Sequence, residues 1–120
     1  MNNDLKYITG YSDTMTLRDI QVKSHEIASL HGWWEQPRSP LELIALIHSE
    51  LSEMTEAYRT DPTKPSEHTP LISSAAEEMA DVIIRLGDMA QEYGIDLQTA
   101  VIQKMLYNES RPHRHGGKKY

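Results

Sequence analysis

Residues 72–94, ISSAAEEMADVIIRLGDMAQEYG, decide the fold class of this chain. Apolar residues recur here at alternating intervals of four and three, which is the period of one face of an α-helix. Gly94 favours the end of that helix, because glycine readily adopts the left-handed conformation found at helix C-termini. The pattern assigns to the buried face Ile72, Ala76, Met79, Ile83, Leu86, Ala90 and Tyr93.

Three further helices are predicted around this segment. The first begins near Thr16, a hydroxyl cap with an acid three residues later, and stops by Gly32. The second begins at Ser39–Pro40, because serine caps helices and proline suits the first helical position. The fourth follows Asp96, another capping residue. The apolar faces expected for the second and fourth helices are Ile44, Ile47, Leu51, Met54 and Tyr58, and Leu97, Val101 and Met105.

The sequence shows no alternating pattern of the kind that predicts β-strands. At 120 residues the chain is long enough for one domain with a core of its own. We therefore expect an all-α protein built as an antiparallel four-helix bundle. Residues 16–110 should form the helical domain, residues 1–15 an N-terminal extension, and residues 111–120 a basic C-terminal tail.

The composition excludes several classes of function. The chain has no cysteine, which rules out disulfides, cysteine zinc sites and thiol nucleophiles. Its net charge of −6 argues against stable nucleic-acid binding through a basic surface. No apolar run approaches the roughly 20 residues that cross a membrane, and the first residues do not resemble a signal peptide. We expect a cytoplasmic protein without a membrane partner.

Two pairs of acidic residues are the candidate functional groups: Glu50 with Glu53, and Glu78 with Asp81. Residues three apart on a helix point about 60° apart, so each pair can face one metal centre. Two such pairs on packed helices would offer four oxygen ligands, which suit Mg²⁺, with Mn²⁺ as the alternative. Glu77 could replace Glu78, because Glu77 and Asp81 are separated by one full turn.

The order of these acids resembles a known signature. Two E-x-x-E/D motifs separated by 24 residues are similar to the signature of the all-α NTP pyrophosphohydrolase superfamily. That superfamily includes the MazG-like proteins, the dimeric dUTPases and phosphoribosyl-ATP pyrophosphohydrolase. The residues that flank the acids and the C-terminal segment resemble the MazG-like branch in particular. The resemblance covers roughly residues 16–118. The segments that carry the resemblance are HSELSEMTEAYR, EEMADVIIRLGDMAQEYGIDL and KMLYNESRPHRHGGK.

The resemblance implies a MazG-like fold and a pyrophosphohydrolase activity. It implies that Glu50, Glu53, Glu78 and Asp81 hold Mg²⁺, and that attack at the α-phosphorus of a nucleoside triphosphate releases a nucleoside monophosphate and pyrophosphate. This agrees with elementary chemistry, because a bound metal lowers the pKa of a water and screens a polyanionic substrate. Glu53 is our candidate for the general base.

Basic and amide side chains on the fourth helix are candidates for substrate binding. Lys104, Asn108 and Arg111 are spaced by four and three and therefore share one face. Cationic groups there could receive phosphates, and the amide could bind the sugar or base. The resemblance supports Lys104 and Asn108, whereas Arg111 and Arg114 rest on charge alone. The alternative is a solvated helix end in which cations complement the helix dipole.

Trp33 and Trp34 stand at the turn after the first helix. One of them is a candidate to stack on the nucleobase. The alternative is one core tryptophan and one at a subunit contact. Arg85 lies one turn after Asp81 and is expected to pair with it.

Two other functions remain open on sequence alone. One is a non-catalytic helical module that assembles with itself or with a regulator. The other is an enzyme of the same fold that acts on a different nucleotide, such as dUTP or a non-standard one. In every case we expect a homo-oligomer, a dimer or tetramer, because a lone unit would expose apolar stretches such as residues 41–46, LELIAL. A partner could also cover the side of Asp81.

Overall fold

The computed structural model describes residues 11–112 and contains four α-helices and no β-strand in that range. α1 spans Leu17–Leu30, α2 spans Pro40–Thr60, α3 spans Ser74–Glu92 and α4 spans Leu97–Ser110. The all-α prediction is confirmed. Most of the expected N-terminal extension and basic tail, with Arg114, lies outside the described residues. No helix among the described residues combines the length and apolarity needed to cross a bilayer.

The predicted helix starts are also confirmed. Thr16 forms a capping box with Asp19, in which the backbone N–H of each residue donates to the side chain of the other at 3.1 and 2.9 Å. Ser39 and Asp96 cap α2 and α4 through their side-chain oxygens. Gly94 has a φ of +68°, so the chain leaves α3 through the conformation that favours glycine.

α3 is the central helix: it packs against α1 on one side and α2 on the other, while α4 packs against α1. This arrangement is consistent with a helical bundle. α1 and α3 approach closely at Gly87, where a Cβ atom would lie 3.2 Å from the Cα of Gln21. Gln21 itself is buried, and its side-chain amide donates to the carbonyl of Ile95 at 2.7 Å. Small and hydrogen-bonded residues therefore form the α1–α3 contact.

The predicted buried face of α3 is confirmed at Ala90, which is 5% exposed, but most of the large residues in the predicted faces of α2 and α3 are exposed. The buried apolar residues of these two helices are Leu43 and Ala57 on α2 and Ala75 and Ala90 on α3, all at most 9% exposed. Three of these four residues are alanines, so the helices meet largely through small side chains, and most of the longer apolar side chains stay partly exposed. Six large side chains of the predicted faces are about half exposed, and we call them the apolar stripes of α2 and α3. They are Ile44, Leu51 and Tyr58 on α2, and Met79, Ile83 and Leu86 on α3. On α4, Val101 and Met105 are exposed as well.

Candidate metal centre and adjoining cavity

Three carboxylates from two helices converge at the middle of the α2–α3 contact. Glu50 lies seven residues from both Leu43 and Ala57, so it projects from the face of α2 that packs against α3. Glu78 and Asp81 project from adjacent turns of α3. One oxygen from each of the three lies within 4.8 Å of the others. We call Glu50, Glu78 and Asp81 the acid cluster.

The electrostatics of the acid cluster oppose its full ionisation. Burial raises the pKa of Glu78 to about 7, and the negative charges of Asp81 and Glu50 add to the effect. Burial also raises the pKa of Asp81, followed by repulsion from Glu50 and Glu77. A divalent cation between these oxygens would remove both the repulsion and the cost of burying negative charge. The donor set therefore fits a hard cation such as Mg²⁺.

The fourth predicted ligand stands apart from the cluster. Glu53 is exposed and lines a second cavity of about 250 Å³, beside Glu78 and the α2–α3 loop. Its charge contributes to the raised pKa of Glu78. Glu77 accepts a hydrogen bond from His68 Nδ1 at 2.9 Å, which lowers the pKa of Glu77. The geometry therefore favours Glu78 over Glu77 as the cluster member.

Arg85 does not pair with Asp81 as the spacing suggested. Its Nε donates to Glu50 Oε1 at 2.9 Å, and the two side chains are only 31% and 15% exposed. The positive charge of Arg85 nevertheless lowers the pKa of Asp81, although burial outweighs this effect. Arg85 thus links α3 to the acid of α2 rather than to the acid one turn before it.

A cavity of about 250 Å³ opens between α1, α2 and α3, directly beside the acid cluster. Asp81 lies in its wall, and residues of α1 face it across the space, so the same chain provides the cover that the sequence assigned to another helix or subunit. The charged and aromatic side chains in the wall are Trp33, Arg38, Glu50, Asp81, Arg85 and Asp88. Acidic, cationic and aromatic groups thus surround one space, which we call the α1–α2–α3 cavity.

The two tryptophans have different surroundings. Trp33 lines the α1–α2–α3 cavity, and the guanidinium carbons of Arg38 and Arg85 lie 4.7 and 5.9 Å from its ring centre. Trp34 donates from Nε1 to Asp88 Oδ1 at 2.8 Å, and so ties the turn after α1 to α3. Trp33 is therefore the tryptophan placed to meet a ligand in the cavity.

Asp88 is also held by α1. His25 Nδ1 lies 2.9 Å from the same oxygen of Asp88, and the other ring nitrogen of His25 is 3.3 Å from Glu92. Asp88 is only 18% exposed at its side chain. The carboxylate of Asp88 on α3 therefore binds both α1 and the turn after α1 that carries Trp34.

The predicted substrate residues on α4 are not brought to the cavity in a single chain. Lys104 Nζ and the Arg111 guanidinium lie 4.5 and 5.7 Å from the ring centre of Tyr107 on their own helix. Neither they nor Asn108 line the α1–α2–α3 cavity. α4 packs against α1, whereas the acid cluster lies between α2 and α3.

Sequence reasoning missed Arg38 and Asp88 and misplaced Arg85. Asp88 follows Asp81 by seven residues, so the helical period could have placed it on the same face. Arg38 stands in the turn before α2, where no periodicity marks a residue as part of a site. Only the fold of that turn brings it over Trp33.

Comparison of this chain with protein-family models and with curated proteins found no match. The site is therefore interpreted from its own geometry and from the motifs in its sequence.

Proposed function

We propose that this chain is a Mg²⁺-dependent nucleoside triphosphate pyrophosphohydrolase with a MazG-like bundle, acting in the cytoplasm. The observation that carries the proposal is the acid cluster, with oxygens within 4.8 Å of one another beside the α1–α2–α3 cavity. Carboxylates suit a hard cation, guanidinium groups suit phosphates, and an indole ring suits a nucleobase. All three occur around this one space, and the sequence resemblance supports the same activity.

In this proposal Glu50, Glu78 and Asp81 hold the cation, with Glu53 as an additional ligand or as the general base. When bound, Mg²⁺ supplies a water of lowered pKa and screens the phosphates. Trp33 orients the nucleoside by stacking on its base. If Glu53, which is exposed at the edge of the neighbouring cavity, is the general base, it accepts the proton of the attacking water. The products are a nucleoside monophosphate and pyrophosphate.

We further propose that a second copy of the chain covers the exposed apolar stripes of α2 and α3. The six half-exposed side chains of these stripes line neither cavity. Each of these side chains has roughly 200 Å² of surface, of which a little under half is exposed on average. The six together therefore leave on the order of 500 Å² of apolar surface in water. A stable interface buries roughly 800 Å² per partner, so the stripes supply most of one. Such a large surface needs a constant partner, and a second copy is always present at the same concentration.

The roles proposed for Lys104, Asn108 and Arg111 fit the same assembly. In one chain α4 lies against α1 and exposes apolar side chains along its length. A second copy is the route by which these residues of α4 would reach an acid cluster. The dimer or tetramer is thus part of the proposed function.

The test is hydrolysis of a panel of nucleoside and deoxynucleoside triphosphates with Mg²⁺, with quantification of monophosphate and pyrophosphate. We expect the wild-type protein to release both from at least one nucleotide, and Glu50→Ala and Asp81→Ala to lose that activity. Glu26→Ala, an exposed acid on α1, is the matched control and should retain it. Equal activity in all three variants would refute the metal assignment.

The same panel separates the alternatives. A non-catalytic interaction module predicts no Mg²⁺ binding and no hydrolysis of any nucleotide. Hydrolysis confined to dUTP or to a non-standard nucleotide would identify an enzyme of the same fold with a narrower substrate.

A further inference from the structure

Arg85 occupies the position between the acid cluster and the aromatic wall of the α1–α2–α3 cavity. Its Nε donates to Glu50 at 2.9 Å, and its guanidinium carbon lies 5.9 Å from the ring centre of Trp33. The side chain lines the cavity and is 31% exposed. It is therefore the cationic group that touches the acid cluster and also approaches the candidate base-stacking ring.

The residues that the structure describes use only a small part of the hydrogen-bonding capacity of Arg85. A guanidinium carries five N–H donors, one on Nε and four on the two terminal nitrogens. Within residues 11–112 only Nε has a partner, namely Glu50. Arg38 is held differently, because one of its terminal nitrogens donates to Glu42 at 2.7 Å, while its buried Nε has no partner among the described residues. Arg85 thus lines the cavity with its Nε anchored, and none of the described residues accepts a hydrogen bond from its four terminal donors.

This arrangement matches a specific need of the proposed reaction. Three carboxylates attract a cation but repel a triphosphate, so a fixed positive charge close to them is required where the phosphate chain meets the nucleoside. An arginine anchored at Nε presents its terminal nitrogens in a planar fork that suits two phosphate oxygens. With the base at Trp33 and the cation at the acid cluster, the phosphate nearest to Arg85 is the one attached to the nucleoside.

We propose that Arg85 is a catalytic residue that donates hydrogen bonds to the α-phosphate and stabilises its negative charge in the transition state. This inference rests on the proposed function. Water adds to the α-phosphorus while the bond to pyrophosphate breaks, and the electron pair leaves with pyrophosphate. Arg85 remains protonated throughout and transfers no proton. Its hydrogen bond to Glu50 holds the guanidinium in place before the substrate arrives.

The test compares Arg85→Gln and Arg85→Lys with the wild-type full-length protein. For Arg85→Gln we expect kcat to fall by about 10²–10³-fold, the effect typical of removing one stabilising donor. Arg85→Lys keeps the positive charge but loses the planar pair of terminal nitrogens, so its kcat should lie between those of wild type and Arg85→Gln. Mg²⁺ alone, titrated by calorimetry, should bind Arg85→Gln at least as tightly as wild type, because a competing positive charge beside Glu50 is gone. Arg59→Ala, an exposed arginine at the end of α2, is the control.

A second measurement keeps the inference testable if Arg85→Gln is unstable. Methylguanidinium added to Arg85→Ala should restore part of the lost activity and should leave wild type and Arg59→Ala unchanged. If Arg85 only holds Glu50 in position, Arg85→Gln will instead displace that carboxylate and lose Mg²⁺ affinity and thermal stability together, and methylguanidinium will restore nothing. That result would overturn the inference, as would full activity of Arg85→Gln.

These outcomes are distinct from failure of the proposed function. If wild type hydrolyses no nucleotide, the proposed function fails, and the inference about Arg85 fails with it. If wild type is active and Glu50→Ala is not, while Arg85→Gln matches wild type, only the inference about Arg85 is wrong.

Discussion

Glu78→Gln should make the metal-free protein more stable at high pH. Burial and the neighbouring acids raise the pKa of Glu78 from 4.5 to about 7, so its ionisation disfavours the folded state. That rise corresponds to about 3 kcal/mol, and solvent screening of a partly buried group reduces the expected effect to about 2 kcal/mol. Because the folded-state pKa is raised, the stability that protonated Glu78 confers is complete below pH 4.5 and is lost as the pH rises through 7.

The assay is thermal unfolding in EDTA at pH 5 and pH 8, with equal protein concentrations. At pH 8, Glu78→Gln should unfold about 8 °C above wild type, because 1 kcal/mol corresponds to about 4 °C at this chain length. At pH 5 the difference should be much smaller. With Mg²⁺ at pH 8, wild type should unfold at a higher temperature than Glu78→Gln. A Mg²⁺ concentration of one hundred times the dissociation constant stabilises wild type by about 2.7 kcal/mol.

Glu77→Gln is the matched control for this experiment. The hydrogen bond from His68 lowers the pKa of Glu77, so ionisation of Glu77 stabilises the folded state. The stability that it confers is present above pH 4.5 and is lost as the pH falls through the folded-state pKa. The same substitution one residue away should therefore lower the unfolding temperature at pH 8. If both variants shift in the same direction, or if Glu78→Gln gains no stability at pH 8 relative to pH 5, the electrostatic account of the acid cluster is wrong.

Two further predictions concern packing and assembly. Gly87→Val should destabilise the chain by about 1–3 kcal/mol in urea unfolding, because its Cβ would lie 3.2 Å from the backbone of Gln21; no loss of stability would contradict the close α1–α3 contact. Ile83→Glu should convert a dimer or tetramer into smaller species in size-exclusion chromatography with light scattering, since it places a charge in the apolar stripe of α3. An unchanged mass for Ile83→Glu, or a wild-type protein that is already monomeric, would contradict the proposed interface.

The helices and their ends could be predicted from the sequence because local chemistry decides them. Thr16, Ser39 and Asp96 cap their helices through hydrogen bonds that span only two or three residues. Gly94 ends α3 through its own backbone conformation. None of these features depends on which helices later pack together.

The packing faces could not be predicted in the same way. On α2 and α3 several apolar lines run side by side, and periodicity does not say which of them meets the neighbouring helix. The structure buries Leu43, Ala57, Ala75 and Ala90 and leaves most of the larger side chains half-exposed. Close approach favours small residues, a preference that depends on the distance between two helices and not on the pattern along one.

The candidate site likewise has one part that could be predicted from the sequence and one part that depends on helix packing. The spacing of Glu78 and Asp81, three residues apart on one helix, indicated that they could face one centre, and the resemblance to a known signature singled them out. That Glu50 joins them while Glu53 lies in a neighbouring cavity depends on how α2 is rotated against α3.

The helical class, the helix caps and the acid pair on each helix can therefore be predicted from the sequence, because each depends on residues that lie close together in the chain. The tertiary structure alone decided that Arg85 binds Glu50 rather than Asp81, that Trp33 faces the cavity, and that the residues of α4 lie away from it. These outcomes depend on the relative rotation and spacing of packed helices, which arise from many weak contacts between residues distant in the chain.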